Sequence, residues 1–148
     1  MPKVVAIYLR PARGEEPVEV SQAKAVPGLG LEGDHFSKAG GHRQITLLSL
    51  TAWKQVCQEL GVDLPASVRR ANIVIDDIDL KDKRGRFLKI GRCLIQIRGE
   101  TTPCRIMDEA HPGLKDALKP DWRGGVYGSV ASGSLIMQGD TVIWSSGL

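Results

Sequence analysis

The sequence has few cysteines and no long hydrophobic run, and both absences exclude classes of protein. Its three cysteines, Cys57, Cys93 and Cys104, form no C-x-x-C pair, which argues against a disulfide framework and against a structural zinc site. No apolar stretch approaches the ~20 residues of a membrane span, and residues 1–7 lack the features of a signal peptide. We therefore expect reduced thiols, a cytoplasmic location and no membrane contact.

Aromatic residues are also scarce, at 5% of the chain, and the net charge is only +3. Proteins that bind single-stranded nucleic acid use aromatic stacking platforms in a cationic groove, so a basic β-barrel that binds nucleic acid is a remote alternative. The mildly basic balance favours a small anionic ligand instead. The length of 148 residues suits one domain of about 100–150 residues, and we interpret residues 1–148 as that domain.

Glycine, in contrast, is abundant, and it separates short β-rich segments. The 17 glycines supply many candidate tight turns. Candidate β-rich segments lie at residues 3–9, 17–20, 45–48, 73–75, 86–90, 92–98, 126–130, 135–137 and 141–144. Because closure removes sheet edges, we predict a mainly β fold: a closed or nearly closed β-barrel of about seven short strands with a few helices.

One helix is predicted clearly, and it helps to sort the cysteines. Ser49 can cap a helix that ends at Gly61, with Cys57 among the apolar residues that recur on one face. Period-two alternation puts Cys93 on the apolar face of a strand. Cys104 is therefore the cysteine that no core face accounts for.

Cys104 lies where an apolar strand stops and a helical turn can start. Thr102 can act as the N-cap and Pro103 suits the first helical position, so Cys104 is expected among unpaired backbone N–H groups beside Arg105. That setting favours a thiolate, which is both a nucleophile and a metal ligand. Taken alone, the stretch is equally compatible with a buried structural cysteine.

Glycine-rich loops carry the other polar candidates. Asp34, His35, His42 and Arg43 lie in two such loops; each histidine alone is typical of an exposed or hydrogen-bonded residue, but together the group can form the wall of a polar site. Arg123 lies at a glycine turn, where a basic group can face a ligand.

Two consecutive arginines form a further candidate. Arg69, Arg70 and Asn72 precede a short apolar strand, and their donors can hold a phosphate or carboxylate. The alternative is a solvated turn that pairs with the acidic residues 76–79.

The order of these segments resembles the MOSC domain, the molybdenum-cofactor sulfurase C-terminal domain family. The features that carry the resemblance span nearly the whole chain, at residues 33–35, 41–47, 70–73, 87–91, 103–104 with Asp108, 123–128 and 139–140. The resemblance implies a β-barrel whose cysteine binds the molybdenum of a pterin cofactor or carries its sulfur.

Carried onto this sequence, the resemblance assigns Cys104 as the catalytic residue and the metal ligand. It implies that the cofactor, molybdopterin with its molybdenum, is contacted by Arg70, Asn72, Thr102, Asp34, His35, Arg43 and Arg123. Large members of the family carry a pyridoxal-phosphate domain for which this chain has no room, so pyridoxal phosphate is not expected.

Two functions follow from the resemblance. The first is an oxidoreductase that reduces N-hydroxylated compounds with electrons from a separate donor protein, with Asp34 or His35 managing protons. The second is a non-catalytic carrier that delivers sulfur or the cofactor to an acceptor enzyme. A homodimer that covers the site is compatible with either function.

Overall fold

Short β-strands dominate the computed structural model, which describes residues 1–12, 14–35, 37 and 40–145. The described strands are β1 (Val4–Leu9), β2 (Val18–Val20), β3 (Gln22–Val26), β4 (Gly30–Leu31), β5 (Ile45–Ser49), β6 (Ile73–Ile75), β7 (Phe87–Ile90), β8 (Cys93–Glu100), β9 (Val126–Ser132), β10 (Ser134–Met137) and β11 (Val142–Ser145). The described helices are α1 (Leu50–Leu60), α2 (Arg105–Ala110) and α3 (Leu114–Leu118), with 3₁₀ turns at Ala66–Arg69 and Pro120–Trp122. The mainly β prediction is confirmed. The described residues form eleven strands where about seven were predicted, and the difference includes short pieces such as β4.

The strands form a large mixed sheet and a small one. Eight strands are hydrogen-bonded in the order β11-β7-β8-β9-β5-β6-β1-β2, and three in the order β10-β3-β4. Neighbouring strands are antiparallel except β5 and β6, which are parallel.

The ends of the large sheet approach each other without forming a continuous ladder. Lys3 forms an isolated antiparallel bridge with Thr141, and Val142 donates its N–H to the carbonyl of Pro2 at 3.0 Å. These contacts join the chain before β1 to the start of β11, which gives the barrel-like, nearly closed form that the sequence predicts.

Two apolar clusters lie on opposite sides of the central strands. Leu47 and Ile73 belong to the cluster inside the curved sheet, whereas their neighbours Leu48 and Val74 belong to the cluster beneath the helices. Because side chains alternate along a strand, β5 and β6 are buried on both faces. These strands are the rigid base on which the loops at their ends are held.

Helix α1 begins and ends as the sequence predicts. The Ser49 side chain accepts a hydrogen bond from the N–H of Ala52, and Gly61 adopts the left-handed conformation that ends the helix. Trp53, Val56 and Cys57 are buried. Among the described residues, no helix is long and apolar enough to cross a membrane.

The predicted cap of α2 is wrong by two residues. Cys104, not Thr102, is the N-cap residue, and no side chain there makes a capping hydrogen bond. The reason is tertiary: the N–H of Thr101 donates to the carbonyl of Gly125 at 2.9 Å, which keeps the chain extended past Thr102.

Candidate functional site

A cavity of about 380 Å³ lies at the end of the large sheet where β8 leads into α2. Small-molecule sites usually measure about 300–1,000 Å³. Its lining residues come from the segment after β1, from the first part of β5 and the loop before it, from the segments that precede β6 and β9, and from the end of β8 through α2: Arg10, Arg43, Thr46, Leu47, Arg69, Arg70, Ala71, Thr101, Cys104, Ile106, Met107 and Gly124. The cavity therefore brings Cys104 together with Arg43 and Arg70, three of the residues that the sequence singles out.

The lining carries an excess of positive charge. It includes four arginines and no carboxylate, and Asp34 neutralises only Arg10, at 2.8 Å. In the described part of the chain, no carboxylate forms an ion pair with Arg43, Arg69 or Arg70. Such a cavity favours an anionic ligand, since guanidinium groups bind phosphate and carboxylate through paired hydrogen bonds.

Arg69 ties together the two segments that flank Cys104. Its Nε donates to the carbonyl of Gly124 and its Nη2 to the carbonyl of Thr101, each at 2.9 Å. The pKa of Arg69 is lowered to about 10, chiefly by burial and also by the nearby charge of Arg43, while Cys104 acts in the opposite direction. An anion in the cavity would offset the cost of keeping this buried guanidinium charged.

Gly124 allows these segments to approach closely. A Cβ at this position would lie 2.6 Å from the carbonyl oxygen of Thr101 and 3.2 Å from Nη2 of Arg69. A side chain at position 124 would therefore push the Arg69 clamp apart, which explains why a glycine precedes β9 here.

Arg70 is held differently from its neighbour. Its backbone is left-handed, with φ 64° and ψ 31°, and its guanidinium donates to the carbonyls of Glu15 and Ala12 at 2.6 and 3.4 Å. Arg70 thus joins the loop after β1 to the cavity wall.

Thr101 carries an unsatisfied polar atom in the cavity wall. The residue is 6% exposed, and its Oγ1 is the one buried side-chain N or O atom of the described residues that has no hydrogen-bond partner. A buried hydroxyl without a partner costs about 1–3 kcal/mol.

Cys104 is accessible, unlike the other two cysteines. It is exposed, whereas Cys57 and Cys93 are buried. Burial raises the pKa of Cys93 to about 12, so that thiol stays protonated and packed. The sequence predicts that Cys57 and Cys93 lie in the core and that Cys104 does not, and the burial of the three residues agrees with this prediction.

Asp34 and Asn72 lie behind the cavity wall in a buried network. Asp34 accepts from the backbone N–H, Nε and Nη2 of Arg10 at 2.7, 3.1 and 2.8 Å. Asn72 is fully buried. Its Oδ1 accepts hydrogen bonds from the Arg10 side chain and from the backbone N–H and hydroxyl of Thr46. Its Nδ2 donates to the carbonyl of Tyr8. These contacts position Arg10 and Thr46, which do line the cavity.

Three further predicted site residues lie outside the cavity lining. Arg123 forms a bidentate ion pair with Glu59 at 3.0 and 2.8 Å. Thr102 is exposed, as is His35, whose N–H donates to the carbonyl of Arg10. Their predicted cofactor contacts stay predictions.

The sequence did not single out Thr101, and it pointed to Arg70 rather than Arg69 as a cofactor contact. Both precede residues that it did choose, and the signal for Arg69 was the arginine pair itself. Which of two adjacent arginines clamps the cavity depends on the left-handed backbone of Arg70, and no local pattern gives that. The orphan hydroxyl of Thr101 is visible only in three dimensions.

Comparisons with known proteins agree on a family and a fold. A family model described as the MOSC domain matches residues 33–143. The YuaD protein from Bacillus subtilis has a TM-score of 0.77 at 17% identity, with 96% of this chain and 94% of that chain covered. YiiM from Geobacillus stearothermophilus has a TM-score of 0.77 at 15% identity, with 99% of this chain and 76% of that chain covered. YiiM from Escherichia coli has a TM-score of 0.71 at 16% identity, with 99% of this chain and 71% of that chain covered. No curated protein matches the chain.

Proposed function

The chain belongs to the MOSC domain family, which is associated with molybdenum-cofactor binding, and from that premise we propose that its cavity binds a molybdenum cofactor with Cys104 as the thiolate ligand. The observation that carries the proposal is the grouping around one cavity of an exposed thiol, three arginines that form no ion pair with a carboxylate of the described residues, and Thr101 with its unsatisfied hydroxyl. Each part suits a different portion of the cofactor.

The thiol suits the metal and the arginines suit the anionic portion. Thiolate is a soft ligand, which matches a soft metal–sulfur centre. Arg43, Arg69 and Arg70 can hold a phosphate with their free N–H groups, and the Thr101 hydroxyl can pair with a polar atom of the pterin. The residues present therefore fit the group.

The activity that we propose is reduction of N-hydroxylated compounds. When bound, the cofactor supplies a redox-active molybdenum centre. An N-hydroxylated base takes up two electrons and two protons, its N–O bond breaks, and the base and water leave. The chain holds the substrate near Cys104 between its cationic wall and the apolar side chains of Ile106 and Met107.

Protons for this reaction come from solvent in our proposal rather than from Asp34. Asp34 is buried against Arg10, and its pKa lies below the ordinary value despite burial, because Arg10 stabilises the carboxylate. It therefore stays ionised at neutral pH. Cys104 is exposed, so water reaches the cavity directly.

The same exposure favours one alternative function. A carrier must present its cargo to an acceptor, and an exposed Cys104 at the cavity rim can hand over a persulfide sulfur or the cofactor without opening the fold. In that case the chain would bind cofactor or sulfur and turn over no substrate.

The test is expression of the full chain in a host that makes molybdopterin, with C104A as the comparison. Molybdenum and released pterin are measured in both purified proteins. We expect both in the wild type and a strong loss of molybdenum in C104A. A wild type that retains neither molybdenum nor pterin contradicts cofactor binding and leaves cofactor-free sulfur carriage.

A second measurement separates the enzyme from the carrier. The cofactor-loaded protein is given an N-hydroxylated base and dithionite as the electron donor, and formation of the reduced base is followed. Turnover that is lost in C104A supports the oxidoreductase. Retained cofactor without turnover supports the carrier.

A further inference from the structure

One segment outside the cavity is rich in basic residues. Residues 81–92 contain six of the 20 lysines and arginines but only one of the 17 acidic residues. Lys81 is paired with Asp121, whereas no carboxylate of the described residues forms an ion pair with Lys83, Arg84 or Arg86. We call these three unpaired residues the basic rim.

The basic rim contacts β8, the strand that leads into the cavity wall. Gly85 donates its N–H to the carbonyl of Ile97 at 2.7 Å, and Ile97 donates to the carbonyl of Arg86 at 2.8 Å. From Ile97 the strand runs about 13 Å, at ~3.3 Å per residue, to Thr101 in the cavity wall. The start of β7 therefore lies opposite the middle of β8, with Phe87 paired with Gln96.

A second contact links the same segment to the chain that leads into β9. Lys81 Nζ and Asp121 Oδ1 are 2.9 Å apart, and Asp121 lies three residues before the cavity residue Gly124. Both contacts thus connect the basic rim to segments that continue into the cavity wall.

The side chains of the basic rim suit an acidic protein better than a nucleic acid. Lys83 Nζ and Arg86 Cζ lie over the ring of Trp144, 5.8 and 5.3 Å from its centroid, so this ring is not free to stack on a base. Carboxylates need no stacking platform, and they pair with arginine through two parallel hydrogen bonds.

We propose that the basic rim docks an acidic electron-donating protein that serves the cavity at Cys104. The inference rests on the proposed function, because only an oxidoreductase needs such a donor. The donor loses two electrons, one in each of two encounters, and the N-hydroxylated base gains them with two protons from solvent and leaves as the base and water. Opposite charges would speed the encounter and orient the donor toward the cavity.

The test uses a plant-type [2Fe–2S] ferredoxin as the acidic one-electron carrier. Its affinity for the full chain is measured at low and high salt for the wild type and for R84E/R86E, two exposed residues of the basic rim. The matched control is K24E/K54E, which reverses the same number of exposed charges elsewhere. R84Q/R86Q serves as a milder variant, and thermal unfolding of all four proteins shows that they are folded.

We expect R84E/R86E to weaken ferredoxin binding about tenfold or more, with K24E/K54E within about twofold of the wild type. R84Q/R86Q should fall between them, and salt should weaken the wild type most. Equal binding by all variants overturns the proposal, as does a loss of oligonucleotide binding in R84E/R86E without a loss of ferredoxin binding.

Turnover separates failure of this inference from failure of the proposed function. Ferredoxin-supported turnover should fall in R84E/R86E, while dithionite-supported turnover stays unchanged because dithionite needs no docking surface. A chain without cofactor contradicts the proposed function, and the binding comparison still tests the basic rim. If the cofactor-loaded wild type and R84E/R86E show the same ferredoxin-supported turnover, the docking proposal is contradicted and the proposed function is not.

Discussion

The Arg69 side chain binds the backbone carbonyl of Thr101 at 2.9 Å, three residues before the exposed thiol of Cys104. Its Nε binds the carbonyl of Gly124 at the same distance. One guanidinium thus fixes the spacing between the segment that presents Cys104 and the segment that enters β9. A lysine offers no planar fork and cannot reproduce both bonds.

We predict that R69K weakens cofactor retention and that R69M weakens it more, because R69K keeps the charge while R69M loses the charge and the clamp. Each lost hydrogen bond to a charged group should cost about 1.5–3 kcal/mol. Urea unfolding of the cofactor-free proteins and the molybdenum content of the loaded proteins measure the two effects.

The matched control for Arg69 is R98K. Arg98 lies on β8 and its Nε donates to the hydroxyl of Ser129 at 3.0 Å, away from the cavity lining. R98K should leave molybdenum content unchanged. If R69K and R98K have the same effect on molybdenum content, the clamp has no special role at the site.

We predict that the native chain exposes a single reactive thiol. Cys104 is exposed, and Cys57 and Cys93 are buried, so a small thiol reagent should label one site per native chain and three after unfolding. C104S should label none in the native state. Because burial raises the pKa of Cys93 to about 12, raising the pH toward ~10 should add no second site. A second fast site would contradict the burial of these cysteines.

Local sequence signals were sufficient where a structural feature is itself local. Ser49 and Gly61 gave the bounds of α1, because a helix cap is a contact between near neighbours. The alternation in β8 placed Cys93 in the core for the same reason. Thr102 failed as a cap because distant residues, Gly125 and Arg69, hold Thr101 extended.

The site itself depends on contacts between residues far apart in the chain. Arg10 meets Asp34 across 24 residues and Asn72 across 62. The sequence indicated that Asp34 and Asn72 are polar and specifically placed. It did not indicate that their partner is Arg10, since any arginine could satisfy the same pattern.

We predict that D34N destabilises the fold at neutral pH and less so in acid. Asp34 is fully buried against Arg10, and removing its charge leaves a buried guanidinium uncompensated, at about 3 kcal/mol. Burial would raise the pKa of Asp34, but its hydrogen bonds and the charge of Arg10 lower it below 3.8. A lowered carboxyl pKa gives stability that is present above the ordinary value and lost as the pH falls through the folded value.

Urea unfolding of the wild type and D34N at about pH 7 and about pH 3 tests this linkage. The difference between the two proteins should be largest at the higher pH and shrink at the lower one. D116N is the control, because Asp116 forms only an exposed pair with Lys119 and should change stability little at either pH. An undiminished D34N difference in acid would contradict the assignment.

We predict that T101V separates stability from ligand binding. Valine keeps nearly the same shape and removes the orphan Oγ1 of Thr101, so the cofactor-free protein should be as stable as the wild type or about 1 kcal/mol more stable. Cofactor retention should fall, because the bound group loses a hydrogen-bond partner. T102V, at an exposed neighbour, should change neither quantity. A ligand-binding hydroxyl without an internal partner can only cost stability while the cavity is empty. A T101V protein that unfolds more easily than the wild type yet retains full cofactor would therefore show that the hydroxyl serves the fold.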